Sequence, residues 1–157
     1  MLRKVGANSN MAFFTSEYEC KLDAKGRLVL PAKVKNSLPE ASKHELYIQK
    51  GFEQNLLLYP VLEYKKIQAR FSALSDFDPE QRKLKRQFFM SITQVELDSA
   101  GRILLPKAVL AHAHLEKEVK MIGMGSHLEM WNPQLIEENQ ITDPEEYSAL
   151  AQKYLAN

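Results

Sequence analysis

The sequence has little cysteine, no long apolar run and almost no net charge. Cys20 is the only cysteine among 157 residues, so an intrachain disulfide is excluded. No stretch approaches the roughly 18 consecutive apolar residues that a transmembrane helix needs. The N-terminus also lacks the apolar core of a secretory signal. These absences predict a cytoplasmic protein that does not interact with a membrane.

Metal-binding and catalytic patterns are missing as well. The four histidines stand without a cysteine or carboxylate cluster at metal-ligand spacing, and the close pair His112 and His114 is more typical of a polar helix end. Asp23 and Asp98 are carboxylates that an acid–base mechanism could use, but no nucleophile elbow or phosphate-binding glycine loop accompanies them. We therefore expect no enzyme activity, no metal, no cofactor and no small-molecule substrate.

The net charge of +1 conceals an uneven distribution of charge along the chain. From Glu129 onward there are six acidic residues and one basic residue, a balance of −5, which leaves twenty basic and fourteen acidic residues upstream, a balance of +6. This asymmetry indicates that the body of the protein meets a polyanion and that the tail does not. A solvated acidic helix would explain the tail equally well.

An internal repeat organises the chain. The segment LDAKGRLVLP, residues 22–31, reappears as LDSAGRILLP, residues 97–106, and six of the ten positions are identical. Further along, Gly51 corresponds to Gly123 and Tyr59 to Trp131 at an offset of 72. Each copy is predicted to run strand, tight turn, strand, short helix, strand, turn, strand, helix.

The repeat defines the expected domain organisation. Residues 1–12 show no hydrophobic period and are predicted to be a disordered leader. The remaining segments are a first repeat (13–60), linking helices (61–91), a second repeat (92–133) and a C-terminal helical segment (134–157).

Several helix starts are marked by proline or a capping residue. Pro31 and Pro106 suit the first position of a short helix after each repeated motif. The linker is predicted to hold helices over residues 61–71 and 79–90, the second capped by Asp78. A capping-box pattern from Thr142 to Glu145 predicts a last helix that ends near residue 155.

Each repeated motif has the composition of a tight hairpin turn. Asp23 and Gly26 occupy the first and fourth positions of a type I turn, and Asp98 and Gly101 do the same in the second copy. Aspartate oxygens accept backbone N–H groups within such a turn, and glycine adopts the positive φ that a short hairpin requires. The apolar runs 28–30 and 103–105 that follow predict strands buried on both faces.

The arginine after each glycine is not required by the turn. Arg27 and Arg102 are predicted either to pair with the turn aspartates or to bind a polyanion. Binding is favoured for Arg27, because arginine binds phosphate or a guanine edge in a bidentate manner and lysines crowd the same segment. These lysines are Lys21, Lys25, Lys33 and Lys35.

The second copy is poorer in positive charge, since Ala100 replaces Lys25 and Glu96 replaces Lys21. We therefore expect the first hairpin to make most of the contact with the polyanion. A basic run over residues 82–86 on the linking helix is either a solvated face or a further contact.

The two Asp-x-x-Gly-Arg turns, each followed by an apolar strand and a proline, resemble the MraZ family of AbrB-like transcriptional regulators. The resemblance covers residues 13–147 and includes the aromatic residues before Pro60 and Pro133. It implies an α+β, β-rich fold, a tandem duplicated swapped-hairpin β-barrel with flanking helices.

The resemblance also implies a function. Subunits would close into a ring-shaped homo-oligomer at the nucleoid and bind short direct repeats of double-stranded DNA in a promoter, expected to be that of its own division and cell-wall operon. The family's Asp-x-x-x-Arg motif falls on Asp23 and Arg27, and again on Asp98 and Arg102. The alternative is an oligomeric protein-interaction module, antitoxin-like or a scaffold, without DNA specificity. Aromatic residues such as Phe88, Phe89, Tyr59 and Trp131 are predicted to be core rather than subunit interface.

Overall fold

A computed structural model describes residues 12–156. Its helices and strands form two similar halves, one after the other along the chain. Ala12 is buried in the core, so the predicted leader does not extend to it, and the rest of that leader lies outside the described residues. The first half contains β1 (Glu17–Lys21), β2 (Arg27–Val29), α1 (Ala32–Ser37), a 3₁₀ turn (Glu40–Lys43), β3 (Leu46–Lys50), β4 (Leu56–Pro60), α2 (Val61–Ser72) and α3 (Pro79–Met90).

The second half repeats this order without the 3₁₀ turn and also ends in two helices. It contains β5 (Ile92–Val95), β6 (Arg102–Leu104), α4 (Lys107–His112), β7 (Glu118–Gly123), β8 (Leu128–Trp131), α5 (Pro133–Glu138) and α6 (Pro144–Leu155). The order of elements predicted for each copy is therefore confirmed, as is the α+β fold class. No helix within residues 12–156 is long and apolar enough to cross a membrane.

The two halves are interleaved rather than side by side. Six strands form an antiparallel sheet in the order β1-β7-β8-β4-β3-β5. The first strand of each half pairs with the third strand of the other, β1 with β7 and β5 with β3. Each half thus completes the sheet of its partner, which is the exchange that the swapped-hairpin prediction describes.

The second strands of the two halves form a separate two-stranded ribbon, β2 with β6. Each strand of the ribbon also bonds to the turn of the other half. The amide of Leu30 donates to the carbonyl of Gly101 (3.1 Å), and the amide of Leu105 donates to the carbonyl of Gly26 (2.8 Å). These reciprocal bonds tie the two turns to opposite ends of one ribbon.

The ribbon closes the main hydrophobic core on one side. Leu28 and Ile103 are fully buried, whereas Val29 and Leu104 are 54% and 56% exposed. The prediction that these strands are buried on both faces is therefore wrong. A ribbon that covers a core has one dry face and one face open to solvent, so its side chains alternate.

The opposite face of the sheet carries a second apolar cluster beneath α2 and α3. Leu57 and Tyr59 alternate along β4 with the main-core residues Leu56 and Leu58, so they point away from the ribbon. They pack with Tyr64 and Phe88 from α2 and α3. The ribbon and the two linking helices consequently lie on opposite sides of the sheet.

Three of the four aromatic residues that we expect in the core are buried. Phe88, Tyr59 and Trp131 are buried, which confirms the prediction for them, and Phe89 is 39% exposed. Phe88 stacks on Phe71 with 4.0 Å between ring centroids, so it holds α3 against α2.

Helix starts are shifted slightly from the prediction. Pro31 and Pro106 precede their helices as N-cap residues instead of occupying the first helical position. Asp78 stands at the cap of α3 but its side chain forms no capping bond. Asp143, not Thr142, caps α6 by accepting a hydrogen bond from the amide of Glu145.

The turn glycines provide a matched test of this architecture. Gly26 and Gly101 have φ of +84° and +76°, a conformation that costs an L-residue about 1–3 kcal/mol. A Cβ on Gly26 would lie 2.9 Å from the backbone oxygen of Leu105, whereas one on Gly101 would meet only the flexible side chain of Lys35 at 3.3 Å. Gly26→Ala should therefore lower the free energy of unfolding more than Gly101→Ala. Urea denaturation of both variants measures this, and equal losses would contradict the steric part of the argument.

Candidate nucleic-acid interface

The first turn is built around the carboxylate of Asp23. The amide of Gly26 donates to the Asp23 carbonyl at 3.0 Å, which closes the predicted four-residue turn. The amides of Lys25 and Arg27 both donate to Asp23 Oδ1 at 2.9 Å. The side chain of Asp23 thus accepts two backbone amides and its carbonyl accepts a third, and the turn prediction is confirmed.

The second turn has the same geometry. The amide of Gly101 donates to the Asp98 carbonyl at 3.0 Å, and the amides of Ala100 and Arg102 donate to Asp98 Oδ1 at 2.9 Å. Two copies of the motif, 75 residues apart, therefore form equivalent turns despite the exchange of lysine for alanine.

Each turn aspartate also holds its arginine. Arg27 Nε donates to Asp23 Oδ2 at 2.7 Å, and Arg102 Nε donates to Asp98 Oδ2 at 2.8 Å. The ion-pair alternative considered for both arginines is therefore present. Because both groups of each pair are exposed to solvent, the pairs contribute little to stability. Their larger effect is on orientation, since the carboxylate holds Nε and leaves the two terminal nitrogens available to a ligand.

Strand register places both arginines on the outer face of the ribbon. Arg27 lies opposite Leu104, and Val29 lies opposite Arg102. Directly paired residues share a face, as do residues two apart on one strand. Arg27 and Arg102 are therefore diagonal neighbours with two exposed apolar side chains between them. Neither guanidinium forms another side-chain hydrogen bond within residues 12–156.

The lysines do not all gather around the first turn. Lys35 packs against Gly101, at the second turn, because α1 starts where β2 ends, at the far end of the ribbon. The equivalent residue of the second copy, Leu110, packs against Gly26. Because the two halves are interleaved, Lys35 of the first copy lies beside the turn of the second copy, which has no lysine of its own. The expected crowding of all four lysines around Arg27 is wrong for Lys35.

The other three lysines, Lys21, Lys25 and Lys33, are exposed. Lys25 lies within the first turn, and Lys21 lines an adjacent cavity of about 650 Å³. Glu116 and Glu118 line the same cavity, so the field there is mixed. Lys33 lines a different cavity together with Phe13 and Tyr18.

The basic run 82–86 lies on α3, across the sheet from the ribbon. Two of its members are committed to the preceding loop: Lys85 Nζ lies 3.0 Å from an oxygen of Asp76, and Arg82 donates to the Asp76 carbonyl. The run therefore does not extend the arginine surface.

Hydrogen bonding lowers the pKa of both turn aspartates. The pKa of Asp23 falls below its usual 3.8, chiefly because its charged form accepts the backbone amide of Arg27. The pKa of Asp98 falls for the same reason, through the amide of Arg102. Both carboxylates are charged at neutral pH and keep the turns and arginines in place.

The described residues contain no group of three or more His, Cys, Asp or Glu side chains that could hold a metal ion. His112 ends α4 and its Nε2 lies 3.1 Å from the carbonyl of Glu53, while His114 adopts a positive φ of 53° just beyond the helix. Both positions match the helix-end interpretation.

These features define a class: a duplicated α+β protein whose two copies interleave and present paired Asp–Arg hairpins on one ribbon. The chain belongs to the MraZ family. A family model described as "MraZ protein, putative antitoxin-like" matches residues 13–87 and again residues 88–153. The family prediction is confirmed.

Curated relatives support this membership over most of the chain. Transcriptional regulator MraZ of Cytophaga hutchinsonii is 47% identical over 146 residues, which covers 93% of this chain and 97% of that protein. The proteins of the same name from Herpetosiphon aurantiacus and Thiobacillus denitrificans are 39% and 40% identical, over 76% and 71% of this chain and 80% and 75% of their own lengths.

Sequence reasoning missed three members of this surface. Val29 and Leu104 were assigned to the core, and Lys35 was assigned to the wrong turn. The signal that places them is the antiparallel pairing of β2 with β6, which sets Arg27 opposite Leu104 and Val29 opposite Arg102.

The aspartates make the turns sensitive to acid. Their pKa values are depressed in the folded state, so their stabilisation is complete above the unfolded value of about 4 and is lost as the pH falls through the folded values. Wild type should lose stability in urea as the pH falls below about 4, and Asp23→Asn/Asp98→Asn should lose less over the same pH range. Asp78→Asn is the control, because that carboxylate forms no capping bond. Identical pH profiles for wild type and the double variant would contradict this assignment.

Proposed function

We propose that this protein is a sequence-specific DNA-binding transcriptional regulator that binds DNA through the outer face of the β2–β6 ribbon. One observation carries the proposal: Arg27 and Arg102, from different copies of the repeat, share that face and are each oriented by an aspartate. The names of the relatives, transcriptional regulators, agree with this role.

The dimensions of the ribbon suit the major groove of DNA. Paired strands lie about 4.8 Å apart, and the major groove, about 12 Å wide, admits a two-stranded ribbon. The ribbon lies on the outside of the core with its turns at opposite ends, so its outer face is open to a ligand.

The exposed groups on the ribbon match the chemistry of base edges. The terminal nitrogens of an arginine bind guanine O6 and N7 in a bidentate manner, and small apolar side chains contact the thymine methyl group. Arg27 and Arg102 would supply the first kind of contact, and Val29 and Leu104 the second. Lys21, Lys25, Lys33 and Lys35 lie outside the ribbon strands and would contact phosphates, which position the protein without reading sequence.

Assembly would strengthen this modest contact. One ribbon has three residue pairs and offers few contacts, but several ribbons in a ring-shaped homo-oligomer convert later binding steps into intramolecular ones and raise avidity by about 10²- to 10⁴-fold. Such a ring would bind short direct repeats spaced like its subunits. We propose that these repeats lie in the promoter of its own division and cell-wall operon, and that the protein acts at the nucleoid.

Arginine substitutions test the proposal directly. Arg27→Ala and Arg102→Ala should each weaken binding to the native promoter duplex by at least about fivefold, since a bidentate base contact contributes about 1–3 kcal/mol. Arg27→Lys should also lose preference for that duplex over a scrambled one, because lysine retains charge but not the planar fork. Fluorescence anisotropy at two salt concentrations measures both effects.

Lys66→Ala is the matched control, since it removes one positive charge from α2, across the sheet from the ribbon. Its affinity should equal that of wild type. Wild-type binding that is insensitive to salt, or unchanged in both arginine variants, would reject the DNA surface and favour the protein-interaction module.

A further inference from the structure

The C-terminal helix α6 has an apolar face that its own chain leaves uncovered. Tyr147, Leu150 and Tyr154 stand three and four residues apart, so they lie along one face, and they are 68%, 37% and 71% exposed. No residue of α6 is buried. An isolated helix of twelve residues is marginal in water, so α6 needs a surface to pack against.

The same chain carries an apolar groove that is open to solvent. It lies between the β3–β4 loop and helices α2 and α3, on the side of the sheet away from the ribbon, and has a volume of about 340 Å³. Phe52 at its edge is 87% exposed and Leu84 is 47% exposed. The apolar lining comprises Phe52, Leu57, Ile67, Phe71, Leu74 and Leu84.

Charge on the helix and the groove is complementary. Arg70 lines the groove, and Lys83 is adjacent to Leu84 in the basic run of α3. Neither forms an ion pair within residues 12–156. The start of α6 is acidic, with Asp143, Glu145 and Glu146 in succession around Pro144. The acidic start of α6 is therefore opposite in charge to the basic residues beside the groove.

We propose that α6 of one subunit docks in this groove on a neighbouring subunit, with Tyr147, Leu150 and Tyr154 facing the apolar lining. In a single chain the apolar face of α6 and the apolar groove are both exposed to solvent. A contact between two copies of the chain would bury both surfaces. A contact that joins two different surfaces is heterologous, and a repeated heterologous contact closes into a ring when the rotation permits. The groove is across the sheet from the ribbon, so docking leaves the arginine face open to DNA.

This inference rests on the assembly part of the proposed function, and a mixed cross-linking experiment tests it. One preparation carries Phe52→Cys and a second, of different tag mass, carries Leu150→Cys. The two are mixed, allowed to exchange subunits and treated with a short bismaleimide. The native Cys20 gives little background, since its thiol is buried and burial raises its pKa to about 11. Gln152→Cys, on the opposite face of α6, replaces Leu150→Cys as the control.

A cross-linked dimer containing one chain of each mass, abundant with Leu150→Cys and scarce with Gln152→Cys, is the expected result. Equal yields from the two positions, or no mixed dimer, would overturn the proposal. A chain carrying both substitutions that cross-links internally while monomeric would also overturn it, because the helix would then occupy its own groove.

Light scattering measures the mass of the assembly, so it distinguishes a failure of the proposed α6 interface from a failure of the ring itself. Leu150→Asp should reduce the mass of the wild-type assembly, and Gln152→Asp should not. A monomeric wild type would reject the ring, whereas a stable oligomer without the mixed cross-link would reject only this interface. Anisotropy with promoter DNA reports independently on the ribbon.

Discussion

The pairing of β2 with β6 is the interaction on which the rest of the structure depends. It joins two segments 75 residues apart, and the bonds from Leu30 to Gly101 and from Leu105 to Gly26 fix the register at both ends. Because Leu28 and Ile103 project from this ribbon into the main core, the ribbon and the six-stranded sheet bury one another. Neither half of the chain has a complete core without the other.

The interleaving of the two halves also determines where the charged side chains lie. Lys35, encoded in the first copy, packs against the turn of the second copy, so the two hairpins are less unequal than their own sequences indicate. The same exchange sets Arg27 and Arg102 on one face from opposite ends. The sheet then separates that face from α2, α3 and their apolar groove. One side of the sheet thus carries the face that we propose binds DNA, and the other carries the groove that we propose binds a neighbouring subunit.

Local patterns were sufficient to predict the turns and the order of elements. Asp23 and Gly26 specify their turn through bonds within five residues, so the sequence alone reveals them. The exposure of Val29 and the position of Lys35 depend on which strand pairs with β2, and no pattern within one copy contains that information. The apolar run around Val29 therefore predicted burial on both faces, where the partner strand leaves one face open. The composition of α6 likewise does not show whether this helix packs on its own subunit.

The account depends most on both hairpins presenting one surface to DNA. A photo-reactive phenylalanine analogue placed at Val29, at Leu104 or at Lys83 tests this most directly, with each variant irradiated in complex with the promoter duplex. Val29 and Leu104 are on the outer face of the ribbon and Lys83 is on α3 across the sheet. We expect DNA cross-links from Val29 and from Leu104 and none from Lys83. Cross-links from Lys83 alone, or from only one of the two ribbon positions, would contradict it.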